Sequence, residues 1–457
     1  MKPKAYFVGA GGIGMAALVR WCLSKGIRVA GYDRTPSALT NALIREGALI
    51  SFKDSMDAVP EDFRDSSEVL VIYTPAVPES NVPLAFFRDN GFEVVKRSQA
   101  LGHVTAALDS LCFAGTHGKT TTSSMAAHIM HTDPTGCTAF LGGILRNYDS
   151  NLLLSDTSPY AVVEADEYDR SFHTLRPYIA VITATDPDHL DIYGTEEAYL
   201  ESFAHFTELI RPGGVLLVHT GLKLKPRAQE SVRVYTYSRD NGDFHAARIR
   251  RGDGTIVFDF VGPGGMEIRD IELGVPVEIN IENAVASIAA VMLTGDVSAD
   301  SVRMAMASFK GAERRFQFWL KEPMPGGHVI IDDYAHHPDE VRQSIASVKA
   351  LYPGRSLCVA FQPHLYSRTR DFAPQFAEAL SAADTAVLLD IYPAREEPIP
   401  GVTSKIIFDK INCQKKVMIS KEKLSETIKS LNFDILLTLG AGDICLQLPE
   451  LVKTLKA

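Results

Sequence analysis

The sequence predicts an α/β protein of three domains, and three observations favour that fold class. Short apolar runs alternate with segments of helical spacing along most of the chain, as in parallel sheets covered by helices. Two glycine-rich turns, Gly9–Gly14 and Gly115–Lys119, each follow an apolar run and precede a helical segment. The 457 residues suffice for about three domains of ordinary size. We expect an N-terminal Rossmann-like domain (1–108), a central P-loop ATPase-type α/β domain with added antiparallel strands (109–321), and a C-terminal Rossmann-like α/β domain (322–457).

Composition excludes several classes of protein. The formal net charge of −10 argues against a general nucleic-acid binder, so phosphates must be bound by local groups. The six cysteines form no C-x-x-C pair and are expected to be buried free thiols in a reducing compartment. No apolar run approaches the roughly 18 residues that span a bilayer. Lys2 and Lys4 precede an apolar stretch, but the glycines and the missing cleavage site argue against a signal peptide. We expect a cytoplasmic protein without membrane insertion or nucleic-acid binding.

The first glycine-rich turn has the context of a dinucleotide-binding fingerprint. Ala5–Val8 reads as a buried strand, Gly9–Gly14 has the form G-x-G-x-x-G, and Met15–Ser24 reads as a helix. Arg28–Gly31 makes a second strand that ends near Asp33, an acid about 20 positions on. The pattern indicates a site for a diphosphate-containing ligand; alternatively, the glycines only permit close packing of helix and strand. The candidate binding residues are Gly11, Gly12, Ile13, Gly14 and Asp33.

The second glycine-rich turn predicts a phosphate-binding loop. Leu111–Phe113 reads as the end of a buried strand, and Lys119-Thr120 opens a helix. Lys119 is placed to reach the β- and γ-phosphates and the Thr120 hydroxyl to bind Mg²⁺. The match is incomplete because Phe113 stands where the first glycine of the P-loop pattern is expected, and a tight turn before a helix is the simpler alternative. The candidate nucleotide-binding residues are Gly115, Thr116, His117, Gly118, Lys119, Thr120 and Thr121.

Acidic residues follow the next two strands of this domain. Tyr160–Val163 runs into Glu164–Asp169, and Tyr178–Thr183 precedes a second acidic stretch that contains Asp188 and His189. The carboxyl ends of parallel strands are where open α/β sheets bind ligands. Any single acid there is readily explained as a solvated loop residue. The pair Glu164 and His189, beside a P-loop, is better explained as a set of metal ligands.

The remainder of the chain continues the α/β pattern after a change of character. Short strands begin near Val215, and Arg251–Gly254 is a hairpin signal. A helix over Asn280–Leu293 carries Asn280 and Asn283 on one face. Strands and helices alternate again beyond about residue 322, over Val329–Ile331, Asp339–Leu351, Leu357–Phe361, Phe372–Leu380, Ala386–Leu389 and Ile435–Leu439. Polar clusters follow these strands at Asp332–His337, Gln362–His364 and Gly440–Asp443.

Taken together, these motifs resemble the Mur ligases, the ATP-dependent amide-forming enzymes of peptidoglycan precursor synthesis. The resemblance covers nearly the whole chain, with the motifs in the family's order. The matching stretches are Gly9–Met15, Gly115–Thr122, Glu164–Asp169, Asp188-His189, Asn280–Asn283, Arg314–Phe316, Asp333–Pro338, Phe361–Arg370, Tyr392–Gly401 and Gly440–Asp443. The resemblance implies a ligase that joins L-alanine to the carboxylate of UDP-N-acetylmuramate through an acyl phosphate, with ATP and Mg²⁺.

The resemblance also implies residue roles. The turn Gly11–Gly14 with Asp33 would bind the UDP-sugar. Thr120, Glu164 and His189 would bind metal, Asn280 and Asn283 adenine, Arg315 phosphates and Asp333 ribose, while His364 and Arg368 would lie near the amino acid. The implied catalytic residues are Lys119, His189, Arg315, His364 and Arg368.

Two stretches depart from the family pattern. The pattern His-Arg-Tyr is replaced by His364-Leu365-Tyr366, so the carboxylate contact of that arginine must come from elsewhere, such as Arg368, or the amino-acid pocket differs. The loop Tyr73–Pro75 lacks the serines of the family version. In addition, the stretch Leu190–Gly221 contains no lysine, so we expect no metal-binding lysine carbamate of the kind that later Mur ligases use.

Three other functions remain open. A related ligase attaches a whole tripeptide to the same UDP-sugar. An NAD-dependent oxidoreductase would use Gly9–Gly14 but leave Lys119 and Glu164 without a role. A non-catalytic P-loop switch would bind ATP without turnover. The sequence leaves a monomer and a homodimer equally open.

Overall fold

The fold is built on four β-sheets over the residues that the structure describes, which are 2–187, 190–252, 254–322, 326–394 and 396–455. The coordinates are a computed structural model. Internal contacts divide the chain into two units. The first unit comprises Met1–Arg248, Phe258–Ile271 and Ile281–Phe309, and the second unit comprises Ile249–Val257, Glu272–Asn280 and Lys310–Ala457.

The N-terminal sheet is wholly parallel, with strand order β3-β2-β1-β4-β5, the order of a Rossmann-type half. Its strands are β1 (Lys4–Val8), β2 (Arg28–Tyr32), β3 (Leu49–Ser51), β4 (Val69–Tyr73) and β5 (Glu93–Lys96). Its helices are α1 (Ile13–Ser24), α2 (Ala38–Arg45), α3 (Val82–Asp89) and α4 (Arg97–Thr105). The order reverses between β1 and β4, so the turn after β1 lies at the switch point where such sheets bind ligands. The predicted Rossmann-like fold is confirmed here.

The central sheet has seven strands in the order β12-β11-β10-β6-β9-β7-β8. Its strands are β6 (Asp109–Ala114), β7 (Thr138–Leu145), β8 (Ser150–Leu153), β9 (Tyr160–Glu164), β10 (Ile179–Ile182), β11 (Val215–His219) and β12 (Arg233–Tyr237). Its helices are α5 (Lys119–Thr132), α6 (Leu190–Tyr193) and α7 (Glu196–Glu208). All pairs are parallel except β7 with β8. The predicted P-loop ATPase-type α/β fold is confirmed, because β6 lies in the middle of the sheet and leads through the glycine loop into α5.

A small sheet follows, in the order β13-β14-β15, with β13 (His245–Gly252), β14 (Thr255–Gly262) and β15 (Met266–Glu272). The first two strands form the predicted hairpin, although Asp253 of its turn lies outside the described residues. Two helices follow, α8 (Glu278–Met292) and α9 (Ala299–Ser308). The predicted helix over Asn280–Leu293 is therefore confirmed, although α8 begins two residues earlier and ends one residue earlier than predicted.

The C-terminal sheet has the order β16-β17-β21-β18-β19-β20. Its strands are β16 (Gln317–Lys321), β17 (Val329–Asp333), β18 (Leu357–Phe361), β19 (Thr385–Leu389), β20 (Lys415–Ile419) and β21 (Ile435–Leu439). Its helices are α10 (Pro338–Leu351), α11 (Tyr366–Leu380), α12 (Lys405–Phe408), α13 (Leu424–Lys429) and α14 (Leu448–Leu455). Only β16 is antiparallel to its neighbour. Because β16 joins this sheet, it belongs with the C-terminal part of the chain; the domain boundaries at 108/109 and 321/322 remain predictions.

One helix begins earlier than the sequence predicts. The prediction placed it at Phe372–Leu380, but α11 starts at Tyr366 and has non-helical backbone at Phe372 (φ −120°, ψ 16°). Pro374 explains the interruption, because it lacks an N–H and crowds the preceding turn of the helix. The extra turns carry Arg368 beside the polar cluster that follows β18.

Two expectations from composition can be compared with the structure. All six cysteines are free thiols; four are buried, and Cys413 and Cys445 are partly exposed. Within the described ranges, no helix has the length and apolar character needed to cross a membrane.

Candidate active site

The turn after β1 is shaped by two glycines and one acid. Gly9 has a φ of +87°, and a Cβ at this position would come within 2.4 Å of Thr74 Cγ2, beyond the end of β4. The Gly11 N–H donates a hydrogen bond of 2.6 Å to Asp33 Oδ2. Asp33 therefore stabilises the turn itself. If it also contacts a ligand, as predicted, the same carboxylate must make both interactions.

Basic residues at the start of α4 link this turn to the central sheet. A Cβ on Gly14 would come within 2.8 Å of Arg97 Nη1, so the guanidinium lies directly over the turn. Arg97 also donates to Asp166 at 3.2 Å, and Lys96 pairs with Asp169 at 3.2 Å. The acidic loop after β9 is thus held against the start of α4 by two ion pairs, one of which involves the arginine beside Gly14.

A cavity of about 410 Å³ lies beside these ion pairs in the first unit. One wall comes from β4 and the start of α4, and the other from the segment that follows the acidic loop. The lining residues are Tyr73, Lys96, Ser98, Gln99, Asp169, Arg170, Ser171 and Thr174. Hydroxyl, amide and charged groups dominate this list, so the cavity suits a polar ligand rather than an apolar one.

The loop after β6 has the geometry of a phosphate-binding loop. Gly115 has a φ of +143°, and a Cβ there would fall 2.1 Å from Thr183 Oγ1. The Thr183 hydroxyl donates to the carbonyl of His117 at 2.5 Å, which closes the loop from the end of β10. Gly118, with a φ of +83°, is the N-cap of α5, and Lys119 is its first residue. The first amides of α5 therefore provide the N–H groups and partial positive charge that bind phosphate.

The Lys119 ammonium is held on the inner side of this loop. Nζ donates to the carbonyl of Gly115 at 2.6 Å and to Glu167 Oε1 at 2.8 Å, with the carbonyl of Thr116 at 3.4 Å. The Glu167 side chain is 2% exposed and that of Lys119 is 15% exposed. Burial raises the pKa of the Glu167 carboxyl, and the adjacent ammonium of Lys119 opposes that shift.

Glu164, which the sequence predicts as a metal ligand, lies at the end of a central strand. It ends β9 directly opposite Phe113 of β6, the strand that enters the loop. Its Oε2 accepts a 3.2 Å hydrogen bond from the Gly142 N–H on β7. Thr120 lies in the first turn of α5. His189 lies outside the described residues, so its predicted role remains a prediction.

The oxygen donors Thr120 and Glu164 suit Mg²⁺, a hard cation that proteins bind through one or two carboxylates together with substrate phosphates. Among the described residues, no three His, Cys, Asp or Glu side chains are grouped to hold a metal ion unaided. The donor set present thus fits a cation that is completed by a nucleotide.

The predicted adenine contacts are buried in the first turns of α8. Asn283 is 9% exposed and accepts a 3.3 Å hydrogen bond from the Thr122 hydroxyl of α5. Asn280 is 6% exposed, and its amide donates to the carbonyl of Val275 at 3.1 Å. Asn283 is therefore joined to the P-loop helix, while Asn280 closes the turn that leads into α8.

In the second unit, Asp333 and Arg315 lie at the end of β17. Asp333 accepts hydrogen bonds from the Phe316 N–H at 3.3 Å and from the Ser344 hydroxyl. Burial raises the pKa of Asp333, opposed by the Ser344 hydroxyl and the charge of Arg315. The Arg315 guanidinium lies 5.5 Å from the ring centroid of Tyr334. Phe316 has a φ of +47°, a strained backbone of the kind that is concentrated at functional sites.

His364 is a neutral imidazole in an aromatic setting. Its ring stacks on Tyr392 at 5.8 Å and meets His336 edge-on at 5.9 Å. Burial lowers its pKa to about 4, and the neighbouring His336 and Arg368 act in the same direction. Within the described chain, its buried Nδ1 has no hydrogen-bond partner. The structure therefore places His364 and Arg368, both predicted from the sequence, in one cluster.

Leu365, where the family pattern has arginine, is strained. Its backbone has a φ of +71° and a ψ of 139°, a region that favours glycine. Its N–H donates to the carbonyl of Tyr392 at 3.0 Å, and its own carbonyl accepts the Thr369 hydroxyl at 2.8 Å. These bonds hold residue 365 as the N-cap of α11.

Sequence reasoning missed three residues that shape the first unit's site. Glu167 pairs with the loop lysine, Thr183 closes the P-loop, and Gly142 accommodates the carboxylate of Glu164. Glu167 and Thr183 lay inside stretches that the sequence singled out. Gly142 gave no motif signal, because its importance depends on its placement beside the end of β9.

The fold, with its switch-point turn and its P-loop, is that of a nucleotide-binding α/β protein. The chain belongs to the Mur ligase family. Family models match along its length: the Mur ligase family catalytic domain over residues 4–108, the Mur ligase middle domain over 113–291, and the Mur ligase glutamate ligase domain over 314–446. It is therefore an ATP-dependent, amide-bond-forming ligase, as the sequence resemblance implied.

Individual relatives match over nearly full length. The UDP-N-acetylmuramate–L-alanine ligase of Phocaeicola vulgatus is 56% identical and covers 98% of this chain and 97% of its own. The enzyme of that name from Parabacteroides distasonis is 58% identical and covers 96% and 94%. Among solved structures, the UDP-N-acetylmuramate-alanine ligase of Thermotoga maritima superposes with a TM-score of 0.81 at 26% identity and covers 99% of both chains.

Proposed function

We propose that this ligase joins L-alanine to the carboxylate of UDP-N-acetylmuramate and converts ATP to ADP and phosphate, in peptidoglycan precursor synthesis. Relatives that share more than half of its residues carry that activity in their names. The structural observation that carries the proposal is the presence of two glycine-rich turns in the first unit, after β1 and after β6, each of which leads from a strand into a helix. An oxidoreductase that binds one dinucleotide would use only the first of them.

The UDP-sugar is assigned to the N-terminal sheet. The amides of Gly11–Gly14 and the start of α1 would bind the diphosphate, with Arg97 directly above the turn. The cavity of about 410 Å³ beside Arg97 has hydroxyl and charged lining groups that suit a sugar. Asp33 would contribute by holding the turn in its binding conformation, since its carboxylate already accepts a hydrogen bond from the N–H of Gly11.

The first chemical step is phosphoryl transfer from ATP to the substrate carboxylate. A carboxylate oxygen attacks the γ-phosphorus, the bond to the β-γ bridging oxygen breaks, and ADP leaves. The product is an acyl phosphate, whose phosphate is a good leaving group. Such a transfer depends on positioning and charge neutralisation rather than on a protein nucleophile. Lys119 and the N-terminus of α5 would supply positive charge at the β- and γ-phosphates. The phosphate contact of Arg315 stays as the family resemblance implies it.

The metal assignment follows the oxygen donors. Thr120 and Glu164 would hold Mg²⁺, with His189 as the third predicted ligand, and the bound cation would neutralise charge on the transferred phosphoryl group. Asn280 and Asn283 are assigned to adenine and Asp333 to the ribose. These roles are proposals, supported by burial and by the attachment of Asn283 to the P-loop helix through Thr122.

The second step is attack of the amine of L-alanine on the acyl carbon. The C–N bond forms, the bond from the acyl carbon to the phosphate oxygen breaks, and the departing phosphate takes up the proton that the amine loses. The amine must be neutral and aligned, so a neutral hydrogen-bond acceptor is the useful partner. His364 meets that need, because its pKa of about 4 keeps the imidazole unprotonated near neutral pH and its Nδ1 has no hydrogen-bond partner in the described part of the chain. Arg368 is assigned to the alanine carboxylate, since its charge lies beside His364 and His336.

Release of ADP with purified substrates tests the proposal. We expect ADP and phosphate to appear only when UDP-N-acetylmuramate, L-alanine and ATP are all present, with no absorbance change of a nicotinamide. ATP binding without turnover would support a non-catalytic switch and overturn the proposal. A cytoplasmic location and a monomeric or homodimeric state remain predictions, to be checked by fractionation and by light scattering.

A further inference from the structure

The ammonium of Lys119 already directs its three N–H groups at protein atoms. Two bonds are short, 2.6 Å to the carbonyl of Gly115 and 2.8 Å to Glu167 Oε1. The third, 3.4 Å to the carbonyl of Thr116, is at the limit of a hydrogen bond. To reach a phosphate oxygen, the lysine must give up at least one of these three contacts.

Glu167 cannot follow the lysine if it moves away. The residue is 1% exposed, and its Oε2 has no hydrogen-bond partner within the described residues. Its carbonyl accepts the Tyr193 hydroxyl at 2.5 Å, and Tyr193 packs edge-on against Tyr199 at 4.9 Å. Tyr199 in turn hydrogen-bonds the Thr116 hydroxyl of the loop at 2.9 Å. The backbone of Glu167 is therefore anchored, through Tyr193 and Tyr199, to the same loop that holds the lysine.

These contacts decide which bond is lost. If Lys119 left Glu167, a buried carboxylate would lose its only cationic partner among the described residues, and that is costly because the interior solvates a charge poorly. Loss of the 3.4 Å contact with the carbonyl of Thr116 costs little, since a hydrogen bond of that length is weak.

We infer that Glu167 is a positioning residue, which holds the ammonium of Lys119 in place while the N–H now directed at Thr116 turns to the phosphates of ATP. The inference rests on the proposed function, since it assigns Lys119 to those phosphates. Glu167 thereby positions the ammonium of Lys119 for the transition state of phosphoryl transfer and does not contribute to the binding affinity for ATP.

Replacement Glu167→Gln tests this role, because glutamine keeps the length and an acceptor oxygen but removes the charge that fixes the ammonium. We expect kcat to fall roughly tenfold or more, as small misplacements of catalytic groups do, while KM for ATP stays within about twofold. Glu167→Asp keeps the charge but is one methylene too short, so it should fall between the wild type and Glu167→Gln. A Glu167→Gln enzyme with the kcat of the wild type would overturn the inference.

Asp259→Asn is the matched control, since Asp259 is also a 1% exposed carboxylate in the first unit, paired with Arg248 in the small sheet. It should lower the melting temperature without changing kcat. If Glu167→Gln and Asp259→Asn behave alike, with lower stability and unchanged kcat, Glu167 is only structural and the inference fails.

A melting-temperature cycle gives a second test that needs no turnover. Lys119→Ala should lower the melting temperature by leaving Glu167 unpaired, and Lys119→Ala/Glu167→Gln should recover part of the loss. Strictly additive shifts would show that the two residues are uncoupled and would overturn the inference. Failure of the proposed function is distinguishable, because it would appear as absence of ADP release in the wild type.

Discussion

The carboxylate of Glu164 lies directly against the backbone of Gly142. The Gly142 N–H donates to Oε2 at 3.2 Å, and a Cβ at this position would come within 2.3 Å of both carboxylate oxygens. Only glycine leaves room for the carboxylate where β7 passes the end of β9. The backbone of a neighbouring strand therefore orients the side chain that we assign to the metal.

Gly142→Ala should displace this carboxylate while leaving the P-loop in place. Residues that orient a metal ligand typically contribute about 10- to 100-fold in metal affinity or activity, so we expect the Mg²⁺ concentration for half-maximal rate to rise by a factor in that range. Initial rates measured across a Mg²⁺ series check this, with UDP-sugar binding by calorimetry as the control. An unchanged Mg²⁺ dependence would remove Glu164 from the proposed metal site.

Lys119→Ala should abolish turnover and retain binding of the UDP-sugar, because the lysine and the first glycine turn belong to different sheets. The structure also predicts that Lys119→Ala lowers the stability of the fold, because it removes the partner of the buried Glu167. Removing one partner of a buried ion pair costs about 3–5 kcal/mol, so the free energy of unfolding should fall by up to that amount. ADP release, calorimetry and urea unfolding measure the three effects. ADP formation near the wild-type rate would exclude the proposed loop.

The stability of Lys119→Ala should also depend on pH in a defined direction. Burial raises the pKa of Glu167, so without the lysine the folded state binds a proton more readily than the unfolded state. Stability must then fall as pH rises above the unfolded pKa and recover as pH falls. Urea unfolding of Lys119→Ala and Lys119→Ala/Glu167→Gln between pH 5 and about pH 8 measures this slope. Parallel curves for the two variants would contradict the assignment of the slope to Glu167.

Arg368→Ala tests how the alanine carboxylate is bound in the absence of an arginine at position 365. A charge-assisted contact contributes roughly 1.5–3 kcal/mol, so KM for L-alanine should rise about tenfold to a hundredfold while KM for ATP changes little. Arg370→Ala is the matched control, because Arg370 is exposed on the same helix and already pairs with Asp371 at 2.7 Å. An unchanged KM for alanine would mean that another cation binds the carboxylate. Arg395, which lies outside the described residues, is the next residue to replace.

Activity should not depend on dissolved carbon dioxide. The first lysine after residue 190 is Lys223, whose side chain is 77% exposed and whose ammonium pairs with Glu196 at 2.8 Å. That pairing raises the pKa of Lys223, whereas carbamate formation needs a neutral amine held near the metal. Rates in degassed, bicarbonate-free buffer should match rates after bicarbonate is restored. A collapse in the first condition with recovery in the second would reveal a carbamate.

The features that the sequence could predict are those fixed by local chemistry. Gly9 and Gly115 have a positive φ and face a neighbouring strand at close range, and such positions need glycine whatever surrounds them. Buried strands such as β6 and β17 are short apolar runs with clear ends. The fold class and the two loops could therefore be predicted from short stretches.

The features that the sequence could not predict depend on register between distant segments. Glu167 is 48 residues from Lys119, and nothing in either motif shows that the two side chains meet. Gly142 matters only because β7 pairs with β9 so that it lies beside Glu164. The early start of α11 depends on Leu365, whose strained backbone is held by Tyr392 from a separate loop.

Competition between two amine substrates tests the central claim most directly. The enzyme is given ATP, Mg²⁺ and UDP-N-acetylmuramate with equal concentrations of L-alanine and the tripeptide L-alanyl-γ-D-glutamyl-diaminopimelate, and the products are identified by mass. We predict UDP-N-acetylmuramoyl-L-alanine with one ADP released per product. Formation of the UDP-muramoyl tripeptide as the main product would contradict the proposed function and assign the chain to the tripeptide-adding ligases.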